Sequence, residues 1–313
     1  MSYVLLFPGQ GSQTVGMLKA LGDAHAEVAH TFEEASTALG YDLAALVREG
    51  PKEMLDRTEN TQPALLAASI AVWRVWCSQG APPPVALAGH SLGEYSALVA
   101  AGSIAFADAL KLVRLRGQLM QAAVPEGQGG MAAVIGLDDS AVAALCKAYP
   151  GEELIAPANF NSPGQVVVAG ETPAIEWLLA NGKAQGARMV MRVGMSVPSH
   201  CSLLAGAAQQ LASALRDVAV SAPNIPVLHN LDAAARSAPD EIRAALAAQL
   251  HQPVQWTRTI NALAAQGVTH WLECGPGKVL TGLVKRSVEG AVMAALEDPV
   301  ALAASAASMK EAQ

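Results

Sequence analysis

The apolar run Val85–Ala88 leads directly into Gly89-His90-Ser91-Leu92-Gly93, and small and apolar residues follow at helical spacing from about Leu92 to Ala101. No other stretch limits the fold so sharply. A buried strand that reverses into a helix within this pentapeptide needs glycine on both sides of the residue at the tip, where a Cβ would meet the chain it has just left. Strand, tight turn and helix around GxSxG form a nucleophile elbow. It lifts one serine hydroxyl above the end of a sheet and aims the positive end of a helix dipole at the same point. A plain glycine-serine turn between strand and helix carries the same pattern, so the pentapeptide alone does not separate the two.

The rest of the chain supplies a sheet for such an elbow. Val4–Phe7, closed by Pro8-Gly9, reads as a buried strand, and Pro226–His229, His270–Glu273 and Ala291–Leu296 as further ones. Helical patterns fill most of residues 17–79, punctuated by Gly40, Gly50-Pro51 and Gln62-Pro63, with Pro51 and Pro63 suited to first helical turns. Ala81-Pro82-Pro83-Pro84 stops the last of them, and a longer amphipathic helix covers about Phe106–Ala123. With 313 residues, 52% hydrophobic but only 4% aromatic, the chain can bury an aliphatic parallel sheet on both faces. After Pro125-Glu126-Gly127-Gln128-Gly129-Gly130 the rhythm changes. Strands are expected at Met131–Ile135, Leu154–Ala158, Gln165–Ala169 and Ala187–Val193, with helices at Ser140–Ala148 and Pro173–Gln185, the β-α-β-β-α-β order of ferredoxin-like modules. The expected fold class is α/β. A larger α/β-hydrolase-like domain with a mainly parallel sheet (residues 1–125 and 198–313) carries an inserted smaller ferredoxin-like (βαββαβ) domain (residues 126–197).

Composition removes several function classes. The formal net charge is −7, without the basic excess usual in nucleic-acid binders. The best apolar run, Ala97–Leu110, is interrupted by Gly102, Ser103 and Asp108, so no membrane span is expected. Met1–Phe7 has no basic segment ahead of a long apolar core, so no signal peptide is expected. Cys77, Cys146, Cys201 and Cys274 include no CxxC pair, which argues against a zinc site and for free thiols in a reducing cytoplasm. Gly9-Gln10-Gly11 is no dinucleotide fingerprint, because the third glycine falls only at Gly16. No metal and no tightly bound cofactor is expected.

A serine hydroxyl needs a base, and seven histidines compete for that role. His90 abuts Ser91, but adjacent residues on an elbow diverge, so it reads as a packing or supporting group. His25 and His30 lie in a polar helical stretch and read as surface. His200, after Val197-Pro198-Ser199, stands where the chain re-enters the larger domain and opens a helix, the kind of loop end that carries catalytic groups. A solvated loop histidine has the same sequence appearance.

Several separated segments stand in one recognisable order: Phe7-Pro8-Gly9-Gln10-Gly11-Ser12-Gln13, Gly89-His90-Ser91-Leu92-Gly93-Glu94-Tyr95, Arg114-Leu115-Arg116-Gly117, Asn159-Phe160-Asn161-Ser162-Pro163-Gly164-Gln165 and Val197-Pro198-Ser199-His200. Gln252-Pro253-Val254-Gln255-Trp256 and Glu273-Cys274-Gly275-Pro276-Gly277-Lys278-Val279-Leu280 extend the match. Together they resemble the malonyl-CoA:acyl-carrier-protein transacylases of bacterial fatty-acid synthesis over almost the whole chain. The resemblance implies Ser91 as nucleophile, His200 as general base and the backbone carbonyl of Gln249 as the group that orients the imidazole. It implies the backbone amides of Gln10 and Leu92 as an oxyanion hole, and Arg116 as the partner of a malonyl carboxylate. Arginine suits that last task because its planar fork can give a carboxylate two parallel hydrogen bonds, although an exposed helix arginine, the reading given to neighbouring Lys111 and Arg114, looks the same in sequence. Asn159 and Asn161 either line the cleft or build a turn at Asn161-Ser162-Pro163-Gly164.

The implied substrates are malonyl-CoA, a coenzyme A thioester, and an acyl carrier protein, with the enzyme a monomer. Carrier proteins of this kind are acidic, so a locally basic docking face is expected despite the net charge. Its candidates are Lys285, Arg286 and Arg188, with Arg192 beside the last. A serine thioesterase or other hydrolase shares the nucleophile and base but has no use for Arg116. A stand-alone acyltransferase of polyketide synthesis or malonate decarboxylation, and a non-catalytic carrier-docking scaffold, are the other readings.

Overall fold

The computed structural model describes residues 1–194 and 197–311; positions 195 and 196, within the expected insert, and 312 and 313 lie outside the described residues. The strands are β1 (Tyr3–Phe7), β2 (Ala86–Gly89), β3 (Gly129–Ile135), β4 (Ile155–Ser162), β5 (Gln165–Glu171), β6 (Met189–Arg192), β7 (Val227–Leu228), β8 (His270–Glu273) and β9 (Val292–Ala295). They form two sheets. One is wholly parallel in the order β7-β2-β1-β8-β9, and the other is antiparallel in the order β4-β5-β3-β6.

β1 is the centre of the parallel sheet, and every one of its residues is buried. Its alternation divides the core. Tyr3, Leu5 and Phe7 pack with the helices Thr58–Ser78 and Phe106–Ala123, whereas Val4 and Leu6 pack on the other face with Trp256, Ile260 and Trp271. Both faces are therefore covered, as a parallel sheet requires. β1 and β2 run in register, with Phe7 opposite Gly89, so both strands end where the elbow begins.

The antiparallel sheet follows the β-α-β-β-α-β order, and β3 lies between β5 and β6 as in a ferredoxin-like module. Ala132, Val134, Val166 and Val168 pack beneath the helices Asp139–Lys147 and Thr172–Asn181. The opposite face, Met131, Ala133, Val167 and Ala169, packs with Cys201, directly after His200. The end of β4 is strapped to the larger domain: Phe160 N–H donates to the Val254 carbonyl at 2.9 Å, and Val254 N–H to the Ala158 carbonyl at 2.8 Å.

Several boundaries differ from the sequence reading, for local physical reasons. Residues 19–78 hold five helices with breaks at Gly40 and Gly50-Pro51, but Gln62-Pro63 is no break. Pro63 lies inside the helix Thr58–Ser78 and not in its first turn. An interior proline costs a helix about 3 kcal/mol. Leu65, Leu66, Ile70 and Val72, all buried, each return about 1.5–3 kcal/mol, so packing prevails. Val85 donates to the Tyr3 carbonyl at 3.0 Å, yet its side chain points outward and the strand proper starts at Ala86. β6, β7 and β9 are shorter than expected. β4 is longer and continues through Asn159 and Asn161 to Ser162, with register shifts after Pro157 and Phe160, which leaves only Pro163-Gly164 for the turn.

Candidate active site

At the tip of the elbow Ser91 has φ 51°, left-handed backbone that non-glycine residues avoid, at a cost of about 1–3 kcal/mol. Packing enforces it. A Cβ on Gly89 would lie 1.9 Å from the Gly93 carbonyl carbon, and one on Gly93 would lie 2.0 Å from the Phe7 oxygen, so either side chain would separate the helix from the strands. Hydrogen bonds hold the tip: Ser91 N–H donates to Asn230 Oδ1 at 2.6 Å, and the Ser91 carbonyl accepts from Gln249 Nε2 at 2.9 Å.

His200 meets the elbow from the chain that follows the antiparallel sheet. Its Nε2 lies 2.7 Å from Ser91 Oγ, and its Nδ1 lies 2.7 Å from the Gln249 carbonyl oxygen. A carbonyl only accepts, so Nδ1 carries the proton, and Nε2 turns its lone pair to the serine hydroxyl. The ring is buried, at 1% exposure. Burial, reinforced by the positive charge of Arg116, pulls its pKa from 6.5 down to about 3, so the imidazole is neutral near pH 7. His200 does not open a helix as expected. It has φ 61°, and a short 3-10 turn, Ser202–Leu204, precedes the helix Ala205–Arg216.

Arg116 is not a surface arginine. It is 1% exposed and reaches the same hydroxyl, with one Nη 3.3 Å from Ser91 Oγ. That nitrogen also donates to Gln249 Oε1 at 3.0 Å, and the other Nη to Gln62 Oε1 at 2.9 Å. The guanidinium lies 5.5 Å from the Tyr95 ring centroid, and its Nε has no hydrogen-bond partner among the described residues. All of its acceptors are neutral oxygens. The helix carrying it comes close because residue 117 is glycine: a Cβ there would lie 2.7 Å from the Glu59 Cα. Serine, imidazole and guanidinium thus converge on one oxygen, an arrangement suited to acyl transfer from a donor that carries an anion.

Residues 4–313 match the family model of the acyl transferase domain. The malonyl CoA-acyl carrier protein transacylase of Salmonella typhimurium is 53% identical over 96% of this chain and 98% of its own. The chain belongs to the malonyl-CoA:acyl-carrier-protein transacylase family. The corresponding transacylase of Coxiella burnetii superposes with a TM-score of 0.97 at 43% identity, covering 98% of each chain. A malonyl-transacylase solved in complex with a type II polyketide acyl carrier protein also gives 0.97, at 49% identity over 98% of this chain and all of its own.

For a transacylase of this family the remaining expected residues fall as follows. Gly9 packs against the elbow, where a Cβ would lie 2.5 Å from the His90 oxygen, so the turn holding Gln10 sits beside Ser91. The N–H groups of Gln10 and Leu92 have no acceptor among the described residues. His90 supports the wall, with its Nε2 2.8 Å from Asn161 Oδ1 and its ring 5.3 Å from that of Trp256. Asn161 is buried, and Asn159 keeps its Oδ1 buried without a partner. Lys285, Arg286 and Arg188 are exposed, while Arg192 is paired with Glu176. Arg114 departs from its expectation as a solvated cation: it donates to the Leu39 carbonyl at 3.1 Å and lies over the Tyr41 ring. Lys111 is exposed as expected.

The sequence reading missed the layer beneath the transacylase elbow. Glu94, His229, Asn230, Gln62 and the side chain of Gln249 are all buried there. Asn230 Nδ2 donates to the Gly89 carbonyl at 2.6 Å, so one amide clamps both sides of the turn. The available signals were an acidic residue inside an otherwise small, apolar helix and polar residues directly after a parallel strand, where such folds place functional groups. Among the described residues no group of three or more His, Cys, Asp or Glu could hold a metal, and no helix is long and apolar enough to cross a membrane.

Proposed function

We propose that the chain transfers malonyl from malonyl-CoA to the phosphopantetheine thiol of an acyl carrier protein through a malonyl ester on Ser91, as the loading step of fatty-acid biosynthesis. The observation that carries this reading is the Arg116 guanidinium 3.3 Å from Ser91 Oγ. A plain hydrolase has no use for a buried cation there, whereas a malonyl donor brings a carboxylate to that point.

In this reading His200 Nε2 takes the hydroxyl proton as Ser91 Oγ attacks the thioester carbonyl. The Gln10 and Leu92 amides receive the oxyanion, and Arg116 holds the distal carboxylate. The tetrahedral intermediate collapses, coenzyme A leaves as a thiol carrying the proton from His200, and malonyl-Ser91 remains. The carrier thiol then gives its proton to His200, attacks the ester and restores the serine hydroxyl. The Gln249 carbonyl holds the imidazole tautomer but stabilises its cation less than a carboxylate would. Asn159 and Asn161 line the cleft between the body (1–125 and 198–313) and the insert (126–197). Lys285, Arg286 and Arg188 receive the acidic carrier. The reading includes a monomer working in the cytoplasm without a tightly bound cofactor, and the four free thiols support that compartment.

A carrier protein of polyketide synthesis is the second reading, favoured by the close likeness to a malonyl-transacylase that acts with one. Labelling with radioactive malonyl-CoA tests the central claim. Wild type should hold label that a carrier thiol discharges, and Ser91→Ala should hold none. Label that persists in Ser91→Ala, or that water discharges as fast as carrier does, would overturn the reading.

A further inference from the structure

Beneath the elbow lies a carboxylate to which the proposed chemistry gives no task. Glu94 is fully buried in the first turn of the helix Gly93–Ala100, and three donors surround it. Its Oε1 lies 2.7 Å from His229 Nδ1, and its Oε2 accepts from Asn230 N–H and Gln249 Nε2, each at 2.9 Å.

The third contact bears on Arg116. The Gln249 amide has one nitrogen and one oxygen, and both are committed. Nε2 donates to Glu94 Oε2 and to the Ser91 carbonyl, two groups that only accept; Oε1 accepts from Arg116. A flipped amide would set its oxygen against a carboxylate and a carbonyl, and its NH2 against a guanidinium. Glu94 therefore fixes which end of the amide faces Arg116. It also supplies a buried negative charge for that cation at one remove, without occupying it. A direct ion pair would fill the fork that an incoming carboxylate needs, while a buried guanidinium with no anion nearby would be costly.

We infer that Glu94 is a positioning residue for acyl selection: acting through the side-chain amide of Gln249, it presents the Arg116 guanidinium to the acyl site with its carboxylate-binding capacity free. This rests on the malonyl reading above and adds a residue that does not touch substrate. It predicts a loss confined to anionic acyl groups, whereas a residue that merely braced the elbow would affect every donor alike.

The test compares Ser91 acylation by malonyl-CoA and by acetyl-CoA in the full chain. Glu94→Gln should slow malonyl acylation roughly tenfold to hundredfold and leave acetyl acylation within about threefold. Gln249→Leu keeps the carbonyl that orients His200 but also removes the hydrogen bond to the Ser91 carbonyl, so it should slow both donors, with malonyl acylation falling roughly tenfold further than acetyl. In an Arg116→Ala background Glu94→Gln should add little. Equal losses for both donors, an intact malonyl preference, or an undiminished effect without Arg116 would each overturn the inference. Should Glu94→Gln show no cooperative melting, the ratio of malonyl to acetyl loss in Gln249→Leu decides: an unchanged ratio overturns the inference. A wild type without malonyl preference would instead sink the malonyl reading itself. A preference lost in Arg116→Ala but kept in both other variants sinks only the role of Glu94.

Discussion

Ser91 and His200, separated by 109 positions and by the whole antiparallel sheet, meet at 2.7 Å. Neither residue could be brought to that distance by local structure, so the contact depends on how the insert returns the chain to the parallel sheet.

Removing the imidazole should leave the rest of the site standing. His200→Ala is expected to slow acylation of Ser91 by about 10²–10⁴-fold, the usual weight of a positioned base, with malonyl-CoA binding little changed. Single-turnover acylation and equilibrium binding measure the two separately. A proportionate loss of binding would mean that His200 shapes the pocket and is not the base.

Acid should destabilise the protein through the same residue. The pKa of His200 is about 3 when folded and 6.5 ordinarily, so between those values the unfolded chain binds a proton that the folded chain refuses. Stability therefore falls as pH drops through that window, by up to about 1.4 kcal/mol per pH unit, and the group has no effect above it. Burial moves His90 in the same direction. His200→Gln should flatten, without abolishing, the dependence of melting temperature on pH below 6.5. An unchanged slope would locate the titration elsewhere. The acid limb of kcat/KM should likewise lie well below 6.5.

Arg116→Ala should lower kcat/KM for malonyl-CoA about a hundredfold, the scale of a charge-assisted, bidentate contact, and spare acetyl-CoA. Paired acylation assays check this, and equal losses would remove the assigned role.

Gly93→Ala places a methyl group 2.0 Å from the Phe7 oxygen, and the backbone has no room to yield between β1 and the elbow. A loss of about 3 kcal/mol, read by denaturant titration, is expected together with loss of acylation. A near-neutral Gly93→Ala would show that the helix can retreat without cost.

Charge reversal at Lys285 and Arg286 should raise the KM for carrier protein severalfold and leave that for malonyl-CoA unchanged, with the difference fading at high salt. Adding Arg188 should enlarge the effect. Arg192, already paired with Glu176, should contribute less. An unchanged carrier KM would put the docking face elsewhere.

The elements that sequence made legible share one property: their cause is local. The elbow announces itself because two glycines and a strand–helix junction lie within a few residues, and the βαββαβ order shows because hydrophobic period and turn residues are short-range signals. His200 is marked by its place at a loop end as well as by the order of motifs, but Arg116 could be singled out only through that order, because the burial that sets a helix arginine beside Ser91 comes from distant contacts. The supporting layer was not legible for the same reason. Glu94 meets His229 across 135 positions and Asn230 across 136, and no periodicity marks such a meeting. Pro63 and Arg114 were misread where tertiary packing outweighed a local rule: one is carried through a buried helix, and the other is drawn onto Tyr41.

The acceptors around the Arg116 guanidinium are uncharged, so an acyl site built on it should hold small carboxylates other than the donor's own. Small dicarboxylates and buffer acids such as citrate or acetate should lodge there and compete with the acyl donor. Kinetic constants measured in carboxylate buffers would then underestimate affinity, and a zwitterionic amine-sulfonate medium is the appropriate reference state.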